Sequence, residues 1–302
     1  MKLLVCGKFL NNDIFIEKVR YLGFEVRVVD EEKREIHSGL ENVDGVICNT
    51  FFLHNDIARF KNLKFVHFIS SGLDKAPLEY MEKNGIRVFN ARGVYNVPIA
   101  EFVILKILEV YKSSKKFFKQ QEKRLWEKQR NLLELTNKNV AIIGFGGIGK
   151  ELAKRLKSFG VNVIGVRNRD LDAEERTLVD EFFLTYNLDE ALIKSDIIVL
   201  CLPLTEKTIN IIDKRRISLM KENSILVNVS RGEVLDETEL EKSVSKGKFL
   251  GVCLDVFEHE PLTKNSSLWG YERVTVTPHN AFVSDKTQER LFDLIIKNLK
   301  SL

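Results

Sequence analysis

The sequence predicts an α/β fold built on two parallel, doubly wound sheets. Short apolar runs alternate from end to end with longer amphipathic stretches, the pattern of parallel strands joined by crossover helices. A glycine-rich turn stands between one such run and an amphipathic helix, and 302 residues suffice for two medium domains, each with a buried core.

In chain order, strand-like runs lie at residues 3–6, 26–29, 45–48, 65–69 and 87–89. Between the first two, Ile14, Phe15, Val19 and Leu22 recur at helical spacing, so this set reads as one compact doubly wound unit. From Pro98 a long helical region is predicted, with Phe102, Leu105, Ile107 and Val110 at its apolar positions and charge-rich sequence through Lys128. A region of this kind is a solvated charged helix, a helix packed on its own domain, or a subunit contact. A second strand series follows at 140–143, 161–166, 197–200, 225–229, 250–254 and 274–277. The last stretch, 284–302, carries Leu291, Leu294, Ile295 and Leu299 at helical spacing and is expected to pack back on a domain.

The 47 basic and 43 acidic residues are mixed along the chain, leaving a net charge of only +4, which argues against a nucleic-acid partner. No apolar run approaches the roughly 18 residues of a membrane span, and the first residues turn polar at Asn11, so the expectation is a cytoplasmic protein with no membrane partner. Cys6, Cys48, Cys201 and Cys253 are far apart, lack CxxC spacing and lie in or beside apolar runs. They read as buried small hydrophobes rather than disulfides or zinc ligands, and no metal site is expected.

Gly144, Phe145, Gly146, Gly147, Ile148 and Gly149 form a G-x-G-x-x-G turn directly after an apolar strand and directly before a helix over 150–159. The first glycine permits the tight turn, the second lets backbone approach a pyrophosphate, and the third lets helix pack closely on strand. The free N–H groups at the helix start then face the phosphates. A purely structural glycine turn is the competing reading, and the strand and helix context disfavours it. At the end of the next strand, where a carboxylate would accept from the adenosine ribose of NAD, the sequence reads Arg167, Asn168, Arg169, with no carboxylate before Asp170. Cations there suit the extra phosphate of NADP, so NADP(H) is favoured and NAD(H) stays open; the alternative is a pair of solvated loop arginines.

Three further segments each place polar residues at or just beyond a strand's C-terminal end, the edge where open α/β sheets bind ligands. They are the NVSRG run with Val229, Ser230 and Arg231, the DVFEHEP run with Asp255 and Glu260, and the TPH run with His279. Singly each is weak, since an arginine after a strand is usually surface and a lone histidine usually structural. Their order and spacing make them strong. Together with Leu202, Pro203, Leu204, Thr205 and the loop Ser70, Ser71, Gly72, Leu73, Asp74, they make the chain resemble the D-isomer-specific 2-hydroxyacid dehydrogenase family over essentially its whole length.

The resemblance implies a flavodoxin-like substrate domain from residues 1–95 and 281–302, with a Rossmann cofactor domain, 96–280, inserted into it. It implies His279 as the acid that protonates the alkoxide formed by hydride transfer. Glu260 would hold His279, a nearby carboxylate favouring the charged ring. Arg231 would grip the substrate carboxylate and polarise the 2-oxo group, assisted by backbone N–H groups at Ser71 and Gly72. Leu202, Pro203, Val229, Ser230 and Asp255 fall on the cofactor side, Asp255 near the nicotinamide. The implied substrate is a small 2-oxo or D-2-hydroxy acid, glyoxylate and hydroxypyruvate first, and the implied assembly is a homodimer through residues 98–128. His259 does not match the catalytic histidine, and His37, His54 and His67 have no motif context. Asn280, Phe282 and Ser71 depart from the usual residues and put the particular acid in question. Formate and phosphite dehydrogenases share the scaffold and rank lower; a dinucleotide-sensing corepressor-like protein without turnover is the reading from another class.

Overall fold

The computed structural model describes residues 1–36 and 39–302, so His37 lies outside the described residues. The chain divides into two compact units, Met1–Tyr95 with Ser284–Leu302, and Asn96–Val283.

The first unit carries β1 (Lys2–Cys6), α1 (Asp13–Tyr21), β2 (Glu25–Val29), β3 (Gly45–Cys48), β4 (Phe65–Phe68), α2 (Leu78–Lys83), β5 (Arg87–Phe89) and the final helix α10 (Thr287–Leu299). Its sheet is parallel throughout, in the order β2-β1-β3-β4-β5, the flavodoxin-like winding. β3 and β4 are buried at every position because both faces of the sheet are covered, which is why they read as continuous apolar runs rather than alternating ones. One face packs Phe15, Ile16 and Val19 of α1 with Leu291, Ile295 and Leu299 of α10. The other packs Met81 of α2 with Val46, Cys48, Val66 and Phe68. Asn12 opens α1 as its cap, its side chain accepting from Phe15 N at 3.1 Å.

The second unit begins with α3 (Asn96–Tyr111) and α4 (Ser114–Glu122). The long helix expected to run through Lys128 is therefore two helices that stop at Glu122. Ser113 adopts φ 52° and breaks the run, and beyond Glu122 the charge-rich sequence offers no continuous apolar stripe, Trp126 being 98% exposed. Then come β6 (Asn139–Ile143), α5 (Gly147–Lys157), β7 (Asn162–Arg167), α6 (Ala173–Arg176), β8 (Glu181–Leu184), α7 (Leu188–Lys194), β9 (Ile197–Leu200), α8 (Lys214–Leu219), β10 (Ile225–Asn228), α9 (Glu237–Ser245), β11 (Gly251–Leu254) and β12 (Val274–Val276). The parallel sheet runs β12-β11-β10-β9-β6-β7-β8, a Rossmann order whose winding reverses between β6 and β9. β8 escaped the sequence reading. It is a four-residue edge strand, exposed at its charged first residue, and carries neither a long apolar run nor clean alternation.

Among the described residues no helix is long and apolar enough to cross a membrane, and no three metal-ligating side chains gather. The four cysteines are unpaired, and burial pushes the Cys201 thiol up to about 12 and that of Cys253 to about 11, so they pack as protonated thiols.

His67 is the one histidine of β4 and fully buried. Its Nδ1–H donates to Phe68 O at 3.1 Å and its Nε2 accepts from Asn298 Nδ2 at 3.0 Å, tying the sheet to α10. This geometry needs a neutral ring, and burial pushes its pKa down to about 4. The unfolded chain takes up this proton below about 6.5 while the folded one resists it, so stability from this site is complete above about pH 6.5 and is lost toward pH 4. His67→Gln, which cannot titrate, should flatten the fall in melting temperature between pH 6.5 and 4; an unchanged slope would contradict the neutral-ring assignment.

Candidate active site

The glycine turn lies at the winding reversal of the second sheet. Gly144 takes φ +97°, and a Cβ on it would sit 2.5 Å from Leu202 N, so the turn after β6 packs directly on the turn after β9. This contact explains why the apolar Leu202–Pro203 pair accompanies the glycines. Gly149 abuts Ile142 and Gly144 O, the close approach of helix to strand that the third glycine permits. Gly146 is open, with nothing nearer to a Cβ than 3.9 Å, and α5 makes its first intrahelical bond only from Lys150 N to Gly146 O at 2.9 Å. The amides of Gly147, Ile148 and Gly149 are thus left facing outward at a helix N-terminus, a cradle that fits the diphosphate of a dinucleotide.

The end of β7 is arranged differently from the paired cations expected there. Arg167 is not free. Its Nη1 and Nη2 bind Glu175 Oε1 and Oε2 at 3.0 and 2.6 Å, its Nε donates to Arg169 O at 2.9 Å, and Nη2 also reaches Asp170 O. Glu175 is buried, receives Lys150 Nζ at 3.2 Å and closes the capping box of α6 with Asp172. Hydrogen bonds from Arg167 hold its carboxyl at about 2. A two-point pair shielded from water is geometrically fixed, so Arg167 shapes the loop, and Asn168, Arg169 and Asp170 stand exposed beyond it.

The NVSRG turn follows β10. Asn228 is buried and organises it: Oδ1 accepts from Ser230 N at 3.1 Å and from Ser230 Oγ at 2.8 Å, while Nδ2 donates to Arg231 O at 2.9 Å. Val229 N donates to Leu200 O at 3.1 Å. The Ser230 hydroxyl is therefore committed to the turn. Gly232 brings this turn onto the DVFEHEP loop, since a Cβ there would meet Phe257 C at 1.9 Å and Glu258 N at 2.0 Å. Arg231 and Glu260 thus belong to loops packed backbone to backbone, and Arg231 Nη1 also donates to Ser230 O at 2.7 Å.

His279 sits in the turn beyond β12 in the left-handed region, φ 50°, which histidine tolerates better than most side chains. Its Nδ1–H donates to Glu260 Oε2 at 2.9 Å, and Glu260 Oε1 accepts from Phe257 N at 3.2 Å. The ring is thereby held by one nitrogen and presents Nε2, with Phe282 edge-on at 6.1 Å between centroids. His259 and Glu260 are neighbours in sequence, but Glu260 pairs with His279. Asp255, expected on the cofactor side, clamps the turn after β12. It is buried, its Oδ1 accepts from Thr277 Oγ1 at 2.6 Å and Asn280 N at 2.9 Å, and its Oδ2 accepts from Ala281 N at 2.9 Å. His279 N donates to Asp255 O at 2.8 Å as well. Sequence reasoning missed Thr277, Gly232 and the packing of Phe282; the glycine after Arg231 was the one signal available.

In the first unit, Ser70 Oγ donates to Gly72 O at 2.8 Å, Asn90 Nδ2 to Ser71 O at 2.8 Å and Ala91 N to Ser70 O at 3.0 Å. The carbonyls of this loop are satisfied, whereas the amides of Ser71 and Gly72 have no protein acceptor among the described residues. For the second unit, Asp255→Asn exchanges an acceptor for a donor facing backbone N–H groups, a loss of about 1.5–3 kcal/mol for bonds to a charged group. The melting temperature should drop by about 3–12 °C; a drop under 1 °C would remove the clamp role.

Residues 104–281 match the family model described as D-isomer specific 2-hydroxyacid dehydrogenase, NAD binding domain. A glyoxylate reductase of Thermofilum pendens is 34% identical over 244 residues, 79% of this chain and 71% of that one. A hydroxypyruvate reductase of Thermotoga maritima is 33% identical over 286 residues, 92% of each chain. The structure of a D-lactate dehydrogenase from Aquifex aeolicus, complexed with NAD and lactic acid, superposes with a TM-score of 0.82 at 26% identity, covering 99% of this chain and 94% of that one. With the glycine cradle, the Arg231 turn and the Glu260–His279 pair all on the C-terminal edge of its Rossmann sheet, the chain belongs to the D-isomer-specific 2-hydroxyacid dehydrogenase family and is an enzyme with a nicotinamide-dinucleotide-binding domain.

Proposed function

We propose that this enzyme reduces a small 2-oxo acid to the D-2-hydroxy acid, with glyoxylate and hydroxypyruvate as its first substrates. The observation that carries this reading is the His279–Glu260 pair at 2.9 Å, which fixes the imidazole by Nδ1 and leaves Nε2 for the substrate oxygen. The nicotinamide, when bound, supplies the hydride to C2. His279 delivers the proton from Nε2 to the oxygen of C2, and Glu260 keeps the ring oriented as the charge on it changes. Arg231 binds the substrate carboxylate and polarises the carbonyl, its planar fork matching two oxygens at once. The first unit, whose Ser71 and Gly72 amides have no acceptor among the described residues, is the substrate domain in this reading. The relatives named glyoxylate and hydroxypyruvate reductase support these acids over bulkier ones.

The favoured cofactor is NADP(H). Arg169 is exposed just beyond β7, the Glu175 carboxylate is taken up by Arg167, and the first carboxylate after β7, Asp170, lies 3.4 Å from Arg176. The assembly proposed is a homodimer through residues 98–128, supported by apolar side chains left bare there, Phe118 and Trp126 above all. Sedimentation should give a species of about twice 34.8 kDa; a monomer at micromolar concentration would remove this proposal.

The test of the reaction is loss of nicotinamide absorbance with NADPH or NADH against glyoxylate, hydroxypyruvate, pyruvate and a phenyl-substituted 2-oxo acid. Turnover with the two small polar acids is expected, falling at least 1,000-fold in His279→Ala and Arg231→Ala, in the range for losing a general acid or a charge-stabilising donor. Arg169→Ala should lower the NADPH to NADH preference about tenfold or more, as expected for one charge-assisted bond. Tight cofactor binding with no acid reduced would put the dinucleotide-sensing reading in its place.

A further inference from the structure

Gly147 is not among the three glycines that the G-x-G-x-x-G turn requires, yet a side chain there would displace the Asn96 carboxamide. A Cβ would lie 2.6 Å from Asn96 Nδ2 and 3.1 Å from its Cγ and Oδ1. Asn96 is the first residue of α3 and Gly147 the first of α5, so the opening turns of two helices meet at this point. Farther along, Arg155 Nη2 lies 3.7 Å from Glu101 Oε1, so the helices run side by side in the same sense with their positive ends together. Such an arrangement is unfavourable unless an anion or water answers it.

The Asn96 carboxamide is half-buried and, among the described residues, has no hydrogen-bond partner. Asparagine carries two N–H donors, and those of Asn96 are left for water or a ligand. Beside it lie the unpaired amides of Gly147, Ile148 and Gly149. We propose that Asn96 is a ligand of the cofactor's diphosphate, donating from Nδ2 to a phosphate oxygen alongside those amides, and that position 147 is glycine to give its carboxamide room. The proposal rests on the dinucleotide occupying the glycine cradle and adds to it a side chain that lies 51 residues away in sequence, outside the turn itself.

Binding of NADPH, NADH and ADP-ribose to the full chain, followed by nicotinamide fluorescence and calorimetry, tests it. Asn96→Ala should weaken all three by a common factor of about ten, equivalent to about 1.4 kcal/mol, leaving the NADPH to NADH ratio where it was. Asn96→Asp keeps the shape but sets a negative charge against the diphosphate, and should weaken binding about 100-fold, more than alanine does. A residue needed only for packing would give the reverse order, the isosteric aspartate milder than alanine. That order, or an alanine variant within twofold of the native protein, overturns the proposal while the cofactor assignment stands; a native protein that binds none of the three overturns both.

Discussion

Both oxygens of the buried Asp255 carboxylate are occupied by donors of the turn that follows β12, and the placement of His279 depends on them. A histidine at φ 50° is held against its backbone preference, so something must over-determine the turn. Three bonds to a charged acceptor do so, and the Asp255 carbonyl adds a fourth through His279 N. Glu260 then needs to fix only the rotation of the ring. Gly232 completes the arrangement by letting the Arg231 turn touch the backbone of the Glu260 loop, an approach that a single methyl group would block. Arg231, Glu260 and His279 are exposed or half-exposed, while Asp255 and Gly232, which fix the turns that carry them, are buried.

Parallel strands explain why these parts meet. Every strand of the second sheet ends on the same edge, so Gly144 after β6, Leu202 after β9, Arg231 after β10, Asp255 after β11 and His279 after β12 are neighbours although they span 136 positions of sequence. The edge is also the side to which the helix N-terminus of α5 directs its unpaired amides, so the glycine turn and the His279–Glu260 pair share one edge of the sheet.

Much of this was legible in the sequence. Strand runs such as 197–200 and 225–228 are buried on both faces and announce themselves as unbroken apolar stretches, and the glycine turn carries its own strand and helix context. The grouping of Arg231, Glu260 and His279 on one sheet edge was legible because each follows a parallel strand of the second sheet. What the sequence could not tell is which partner a polar residue chooses. Arg167 looked like a phosphate ligand until Glu175, eight residues on, was seen to hold it in a bidentate pair. The clamp that Asp255 makes was not legible, because its three donors come from 22 to 26 residues away. The helix expected through Lys128 broke at Ser113 because charge-rich sequence keeps helical propensity after the apolar stripe that would anchor it has ended.

The most direct measurement is the fate of the hydride. NADPH carrying deuterium at C4 of the nicotinamide should be oxidised in the presence of hydroxypyruvate, and the product should be D-glycerate with one deuterium at C2. Mass spectrometry and chiral separation read both features together. Deuterium appearing at C2 of the D enantiomer is the result that this arrangement of Arg231, Glu260 and His279 predicts. Cofactor oxidised without label at C2, or label in the L enantiomer, would contradict it.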